Sequence, residues 1–215
     1  MAKRVKRGYE SPHRREQARG TRRAILDAAK VLFVDAGYAA TTVAAIASRA
    51  GVSPETVFAG FKNKRSVLSE LLDVSIVGDD ASVPVLERSW VQQMRDESDP
   101  RRRLEILARN GRLILERIGP VYEVLRGAAA ADPAIAALWK RYKEQRFDGQ
   151  RALLRVLVRK GNLRAGLTTS AAADILFTVG SPETFGLLVQ ERGWSGDQFE
   201  RWYKDSLARL LFGVT

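Results

Sequence analysis

Residues 37–64 read GYAATTVAAIASRAGVSPETVFAGFKNK, and the order of stops and caps in that stretch decides the fold. Gly37 ends one helical run, as a C-terminal glycine does. Thr42 is a good N-cap for the next, which carries Val43, Ile46, Ala47 and Ala50 at i, i+3, i+4 and i+7 on one face. Gly51 closes it. Ser53-Pro54-Glu55 then opens a third helix with a capping hydroxyl, a proline where no N–H is needed and an acid at the positive helix end. That helix ends near Phe61, and Asn63 caps a fourth from Lys64 to about Val77, with Val67, Leu68, Leu71 and Leu72 as its buried side. Two short helices across a glycine-containing turn fit a helix-turn-helix, whose second helix lies in the major groove. A tight helical hairpin inside any bundle has the same periodicity, so the choice rests on charge.

Charge favours a polyanion partner. The chain of 215 residues carries a formal net charge of +11. Residues 1–65 hold 14 Lys/Arg against 5 Asp/Glu, and residues 66–215 hold 22 against 20, so nearly all the excess sits on the first third. Residues 1–20 are rich in arginine and lysine, poor in apolar side chains and interrupted by Gly and Pro. They read as a mobile basic arm. Arg4, Arg7, Arg14, Arg15 and Arg19 in that arm either enter an adjacent minor groove or supply general attraction to phosphate.

Outward from the core stretch the pattern stays helical. Ile25, Ala28, Ala29, Leu32, Phe33 and Ala36 form one apolar face from Thr21 to Gly37. Downstream, helices are expected from about Val83 to Met94, from Asp99-Pro100 through Ile118, and from Pro120 to about Ala131. Others follow from Asp132-Pro133 to about Lys160, from Ser170 to a break at Ser181-Pro182, and from Ser195 to Leu211. The fold class is all-α: a basic arm at 1–20, a three-helix helix-turn-helix DNA-binding domain at 21–65, and a helical ligand-binding and dimerisation domain at 66–215.

Other classes are poorly supported. With no cysteine there are no disulfides, thiolate metal sites or cysteine nucleophiles. His13, the single histidine, lies in the basic arm. No phosphate loop, zinc pattern or nucleophile elbow occurs, so neither enzyme activity nor a cofactor nor a metal is expected. No apolar run approaches the roughly 18–20 residues of a membrane span, and the basic N-terminus is not followed by the apolar stretch of a secretory signal. A cytoplasmic location without membrane contact is the simplest expectation. The rival to a sequence-specific regulator is a nonspecific basic nucleic-acid-binding protein.

The segment from Thr21 to about Asp73, above all GY-x-x-TTV-x-x-IA-x-x-AGVS-x-x-TV-F-x-x-F-x-NK, resembles the DNA-binding domain of TetR-family regulators. The C-terminal stretches RKGNLRAGL (159–167) and ADILFTVGSPETFGLLVQERGW (173–194) resemble the family more weakly. The resemblance implies roles. Thr42 meets a phosphate through its hydroxyl or a nearby backbone N–H. Ser53 caps the recognition helix, which presents Pro54, Glu55, Thr56, Phe58 and Ala59 to DNA while Val57 and Phe61 face the core. Lys64 and Lys62 pair with phosphates, and Arg49 is either a further contact or a solvated charge. Phe58 stands where the family usually has a tyrosine, so one phosphate hydrogen bond is lost. His and an aromatic often occupy the positions of Ala59 and Gly60. Gly60 costs about 1 kcal/mol relative to alanine inside a helix, which implies a short or flexible recognition helix. Glu55 accepts from a cytosine amine or serves only as a helix-end acid, and Thr56 can touch a thymine methyl.

Pairing and sensing follow from the same resemblance. One such module reads one half-site of duplex DNA, so a two-fold homodimer is the economical assembly. Leu153, Leu154, Leu157 and Val158, with Trp202, Tyr203, Leu210 and Leu211, are dimer candidates or plain core. The family implies a cavity for a small-molecule effector, with Trp90, Met94, Asn110, Leu113, Trp139, Tyr142, Arg146 and Phe177 as expected liners. Asn110 and Arg146, if buried, need partners: a neighbouring helix or acid, or a bound anion or carbonyl. The expected function is a repressor of a palindromic operator, released when a ligand moves the fourth helix.

Overall fold

A computed structural model describes residues 12–78, 83–158 and 163–213 of the chain. The chain divides after Leu71 into two compact units, and all regular structure among the described residues is helical.

In the first unit α1 (Pro12–Ala40) starts well before Thr21. Residues 12–20, read above as arm, are therefore helix. Arginine, glutamate, glutamine and alanine there are good helix formers, and Gly20 alone does not stop them. Arg4, Arg7 and the side chain of Arg15 lie outside the described residues. Ile25, Leu26, Ala28, Ala29 and Phe33 are the buried stripe of α1. Gly37 adopts φ 80°, ψ 166° and breaks the run. The single proton of the buried Thr41 hydroxyl is shared between Leu32 O (3.0 Å) and Gly37 O (2.8 Å), which ties the chain after the break back to α1. α2 (Val43–Ala50) and α3 (Pro54–Phe61) follow, joined through Gly51 at φ 68°, ψ 31°, a left-handed conformation that glycine takes without a Cβ penalty. α4 (Lys64–Val77) contains the boundary between the units.

The second unit opens with a 3-10 turn (Val85–Glu87) and α5 (Ser89–Asp96) where one continuous helix was expected. α6 (Pro100–Ala129) is capped by Asp99 and runs straight through Pro120. The expected new start at Pro120 does not occur. Leu115, Ile118, Val121, Tyr122 and Leu125 on both sides of it are buried along one face, and that shared packing outweighs the hydrogen bond a proline removes. α7 (Pro133–Leu157) is capped by Asp132, and α8 (Thr169–Val179) by Thr168. Lys160, the expected end of the long helix, lies outside the described residues. Ser181 caps the short α9 (Pro182–Phe185), which passes into a π-helical turn, Gly186–Glu191. α10 (Gly196–Leu207) begins with a full capping box between Ser195 and Gln198 and ends in a second π-helical turn, Ala208–Phe212. α6 packs against α7 and α10, and α7 against α8.

Thr169–Glu191 is long and apolar enough to cross a membrane by length and composition, with a mean hydropathy of 1.2, against the expectation of no such run. Its apolar side chains are used otherwise. Ala172, Ala173, Leu176 and Phe185 are buried in the core of the second unit, and Ser181 at φ −93°, ψ 152° interrupts the helix.

Candidate DNA-reading surface and ligand cavity

Local chemistry sets the outward face of α3. Ser53 Oγ accepts from Thr56 N (3.3 Å) and lies 3.2 Å from Thr56 Oγ1. The Thr56 hydroxyl is thus engaged with the capping serine. Val57 and Phe61 are buried, whereas Glu55, Thr56, Ala59 and Gly60 are exposed and Phe58 is 50% exposed. Pro54 is half-buried. The Glu55 carboxyl is held below its ordinary pKa by its own backbone N–H and then by the Ser53 hydroxyl, so it is ionised at neutral pH and presents only acceptors. Thr42 Oγ1 accepts from Ala45 N (3.0 Å) at the exposed start of α2. The helix is regular through Phe61 in spite of Gly60.

Two cations are placed differently from the sequence expectation. Lys64 turns inward: Nζ donates to Tyr38 O (2.7 Å) and Thr41 O (2.8 Å), and lies 4.2 Å from the centre of the Tyr38 ring. It bridges the end of α1 to the start of α4, and a phosphate would compete with these carbonyls. Arg22, which the sequence did not single out, donates through Nη1 to Gly60 O (3.2 Å), pairs with Glu70 and stacks 4.4 Å from the Phe61 ring centre. It braces the C-terminal end of α3. Its partners lie 38 and 48 residues away along the chain, and no local pattern announces them. Lys62 is exposed and sits at φ 61°, ψ −43° beyond α3. Arg49 is exposed on α2.

The second unit encloses a cavity of about 200 Å³. Ile76, Leu86, Trp90, Leu107, Ile118 and Leu153 give it an apolar wall, and Tyr142, Gln145, Arg146, Gln150 and Tyr203 supply the polar groups. Of the expected liners, Trp90, Tyr142 and Arg146 are on it. Met94 is wholly buried in the core. Asn110 and Leu113 line a second cavity with Trp90, Arg88 and Arg117, and Asn110 Nδ2 donates to Ile106 O of its own helix (2.8 Å). Trp139 Nε1 donates to Tyr122 Oη (3.3 Å), whose hydroxyl in turn bonds Glu183. Phe177 does not line the cavity but supports Arg146: its carbonyl accepts from Nη1 (2.9 Å) and its ring lies 3.6 Å from the guanidinium carbon.

Tyr203 reaches the cavity through a slot between two glycines, Gly111 and Gly180. A Cβ on Gly111 would stand 2.9 Å from its Cε1, and one on Gly180 would stand 2.9 Å from its Cζ. Burial drives the hydroxyls of Tyr142 and Tyr203 above their ordinary pKa, so both remain neutral donors.

An exposed second helix, held by a capped turn and a buried partner face, defines a helix-turn-helix DNA-binding protein. Residues 25–71 match the model of bacterial regulatory proteins, tetR family. The chain is 28% identical over 204 residues to YdeS, an HTH-type transcriptional regulator of Bacillus subtilis (strain 168), covering 94% of this chain and 93% of that one. Among solved structures it resembles MexZ, a repressor responsible for antibiotic resistance in Pseudomonas aeruginosa, with 27% identity, a TM-score of 0.62 and coverage of 88% and 94%. A SmeT–triclosan complex shares the fold at 21% identity, with a TM-score of 0.67 over 89% and 91% of the chains. Residues 25–71 thus form a helix-turn-helix DNA-binding domain of the tetR family of bacterial regulatory proteins, and the chain is similar over nearly its whole length to an HTH-type transcriptional regulator.

Proposed function

We propose that the protein is a homodimeric repressor that holds a palindromic operator through α3 and releases it when a small molecule occupies the cavity of the second unit. The observation that carries the DNA-binding part is the division of α3, with Val57 and Phe61 buried and Glu55, Thr56, Phe58 and Ala59 facing out. The repressor reading is supported by the likeness to MexZ, and the effector by the cavity and by the triclosan-bound neighbour. In a dimer the two recognition helices must lie about 34–36 Å apart, or a multiple of that, to occupy successive major grooves.

Ile76 supports a route from effector to DNA. It lines the cavity and belongs to the last turn of α4, the helix that begins in the DNA-binding unit. Arg117 of α6 holds that turn, donating from Nε to Ser75 O (3.1 Å) and from Nη2 to Ile76 O (3.2 Å). An effector that favours one position of this turn shifts the equilibrium by its differential affinity for the two states.

Fluorescence anisotropy on fragments upstream of the protein's own gene, against random duplex at one fixed salt concentration, tests the reading. A specificity ratio of about 10³ or more is expected, with loss of the preferred site in the Thr56→Ala, Phe58→Ala double variant. A ratio near one would favour the nonspecific nucleic-acid-binding alternative.

A further inference from the structure

Arg146 is a cation held at an apolar cavity with its charge incompletely matched. Of its three guanidinium nitrogens, Nη1 alone has a hydrogen-bond partner among the described residues, the carbonyl of Phe177. Nε is buried with none. No carboxylate of the described residues forms an ion pair with it. Glu183 acts on it through space, but one oxygen of Glu183 accepts from the Tyr122 hydroxyl, and the other is buried and unbonded. Stacking on the Phe177 ring holds the guanidinium in place. Burial lowers the Arg146 pKa, yet an arginine side chain does not give up its proton in proteins. The positive charge therefore persists where the wall offers little to balance it.

The neighbouring polar groups are suited to one kind of guest. Tyr142 and Tyr203 line the same cavity with neutral hydroxyls. Gln150 lines it as well; its buried amide oxygen only accepts, so it is the NH2 group of this side chain that can donate to an anion. Arginine, two phenols and an amide provide several donors for a single anionic group. Apart from Gln145, the rest of the wall is aliphatic, aromatic or glycine, so a guest must be apolar beyond that group. One guanidinium balances one negative charge, and a phosphate dianion would carry a second, uncompensated charge into an apolar space.

We propose that the effector of this cavity is a small hydrophobic monocarboxylic acid, bound as the carboxylate to Arg146 with its apolar body against Trp90, Leu107 and Leu153. The proposal rests on the reading of the cavity as the effector site. It adds the chemical class of the effector and names Arg146 as the residue that sets it.

The test uses the full chain and four probes: octanoate and 4-propylbenzoate as acids, octan-1-ol and 4-propylbenzyl alcohol as their neutral counterparts. Titration calorimetry gives each dissociation constant. The acids should bind at least about tenfold more tightly than the matching alcohols, the scale of a charge-assisted hydrogen bond. Arg146→Gln should bring that ratio close to one, and Arg146→Lys should restore part of it. Comparing octanoate with 4-propylbenzoate distinguishes an aliphatic from an aryl body. Alcohols that bind as tightly as the acids, a ratio unchanged in Arg146→Gln, or no binding of any probe would overturn the proposal. Operator release, measured separately by anisotropy, isolates the underlying reading. Acids that bind through Arg146 without releasing DNA would sink the induction reading alone. Release by the alcohols without acid preference would sink the monocarboxylate alone.

Discussion

Lys64 and Arg146 are both half-buried cations, one in each unit, and the protein satisfies them in opposite ways. Lys64 is directed at main-chain carbonyls of Tyr38 and Thr41 and at the Tyr38 ring. Arg146 has one carbonyl, one ring and an unbonded Nε. A cation whose hydrogen bonds close on its own backbone acts as a clamp, and its value lies in the folded domain. A cation left short of partners beside a cavity lowers stability in the empty state and gains from a guest. The same contrast runs through the two units: the helix-turn-helix commits its hydroxyls to caps at Thr42 and Ser53, while the cavity keeps Tyr142 and Tyr203 on its wall.

Replacing each cation by methionine gives the sharpest separation. Lys64→Met should destabilise the DNA-binding unit by about 2–4 kcal/mol, since charge-assisted bonds are lost and carbonyls are left open. Arg146→Met should leave the empty protein within about 1 kcal/mol of wild type, because the relieved desolvation of a guanidinium with one hydrogen bond offsets the loss of that bond and of the through-space pull of Glu183. Thermal and urea melts of the full chain measure both, and equal losses would break the contrast. The glycine slot comes next. Gly180→Ala should cost about 1–3 kcal/mol by overpacking, and Tyr203→Phe should relieve part of that loss by removing the hydroxyl facing Gly180. The same second change should help Gly111→Ala less, because there the clash is with the ring carbon Cε1. A double-mutant cycle reads the difference.

Lys62 gives the smallest effect and the finest test. Its φ of 61° is unfavourable for a residue with a Cβ, so Lys62→Gly should leave stability unchanged or raise it by up to about 1 kcal/mol. If Lys62 meets a phosphate, the same change should reduce the slope of log K against log salt by about one. Lys64 engages its carbonyls inside the unit, so its removal should act on stability first. Salt-dependent anisotropy alongside the melts distinguishes the two lysines.

Much of the first unit was legible because its determinants are local. Thr42, Gly51, Ser53 and Pro54 act within three or four residues, through caps and a left-handed turn, and the helix boundaries follow from them. The inward placement of Val57 and Phe61 was implied by the family resemblance, and both are buried. The inward turn of Lys64 was not legible, since a lysine after a helix cap reads equally as a phosphate contact. In the second unit the caps at Asp99, Asp132 and Ser195 marked the helix starts, but Pro120 misled. Its local cost was outweighed by burial on both sides. Three of the eight expected cavity liners line the apolar cavity of Arg146, because an aromatic on a helical stripe does not reveal whether it meets a gap or another side chain.

The amino-acid sequence by itself determined an all-helical chain and a helix-turn-helix at its basic end, for these follow from spacing, caps and charge within single helices, while the resemblance implied the outward residues of α3. Tertiary structure alone decided that Arg22 braces Gly60, that the almost fully buried Arg103 donates to the carbonyls of Glu97 and Leu157, and that Arg146 stands beside a cavity with Tyr142 and Tyr203. Those partners come from different helices, and which cation meets a carboxylate, a carbonyl or an empty space depends on how the helices pack.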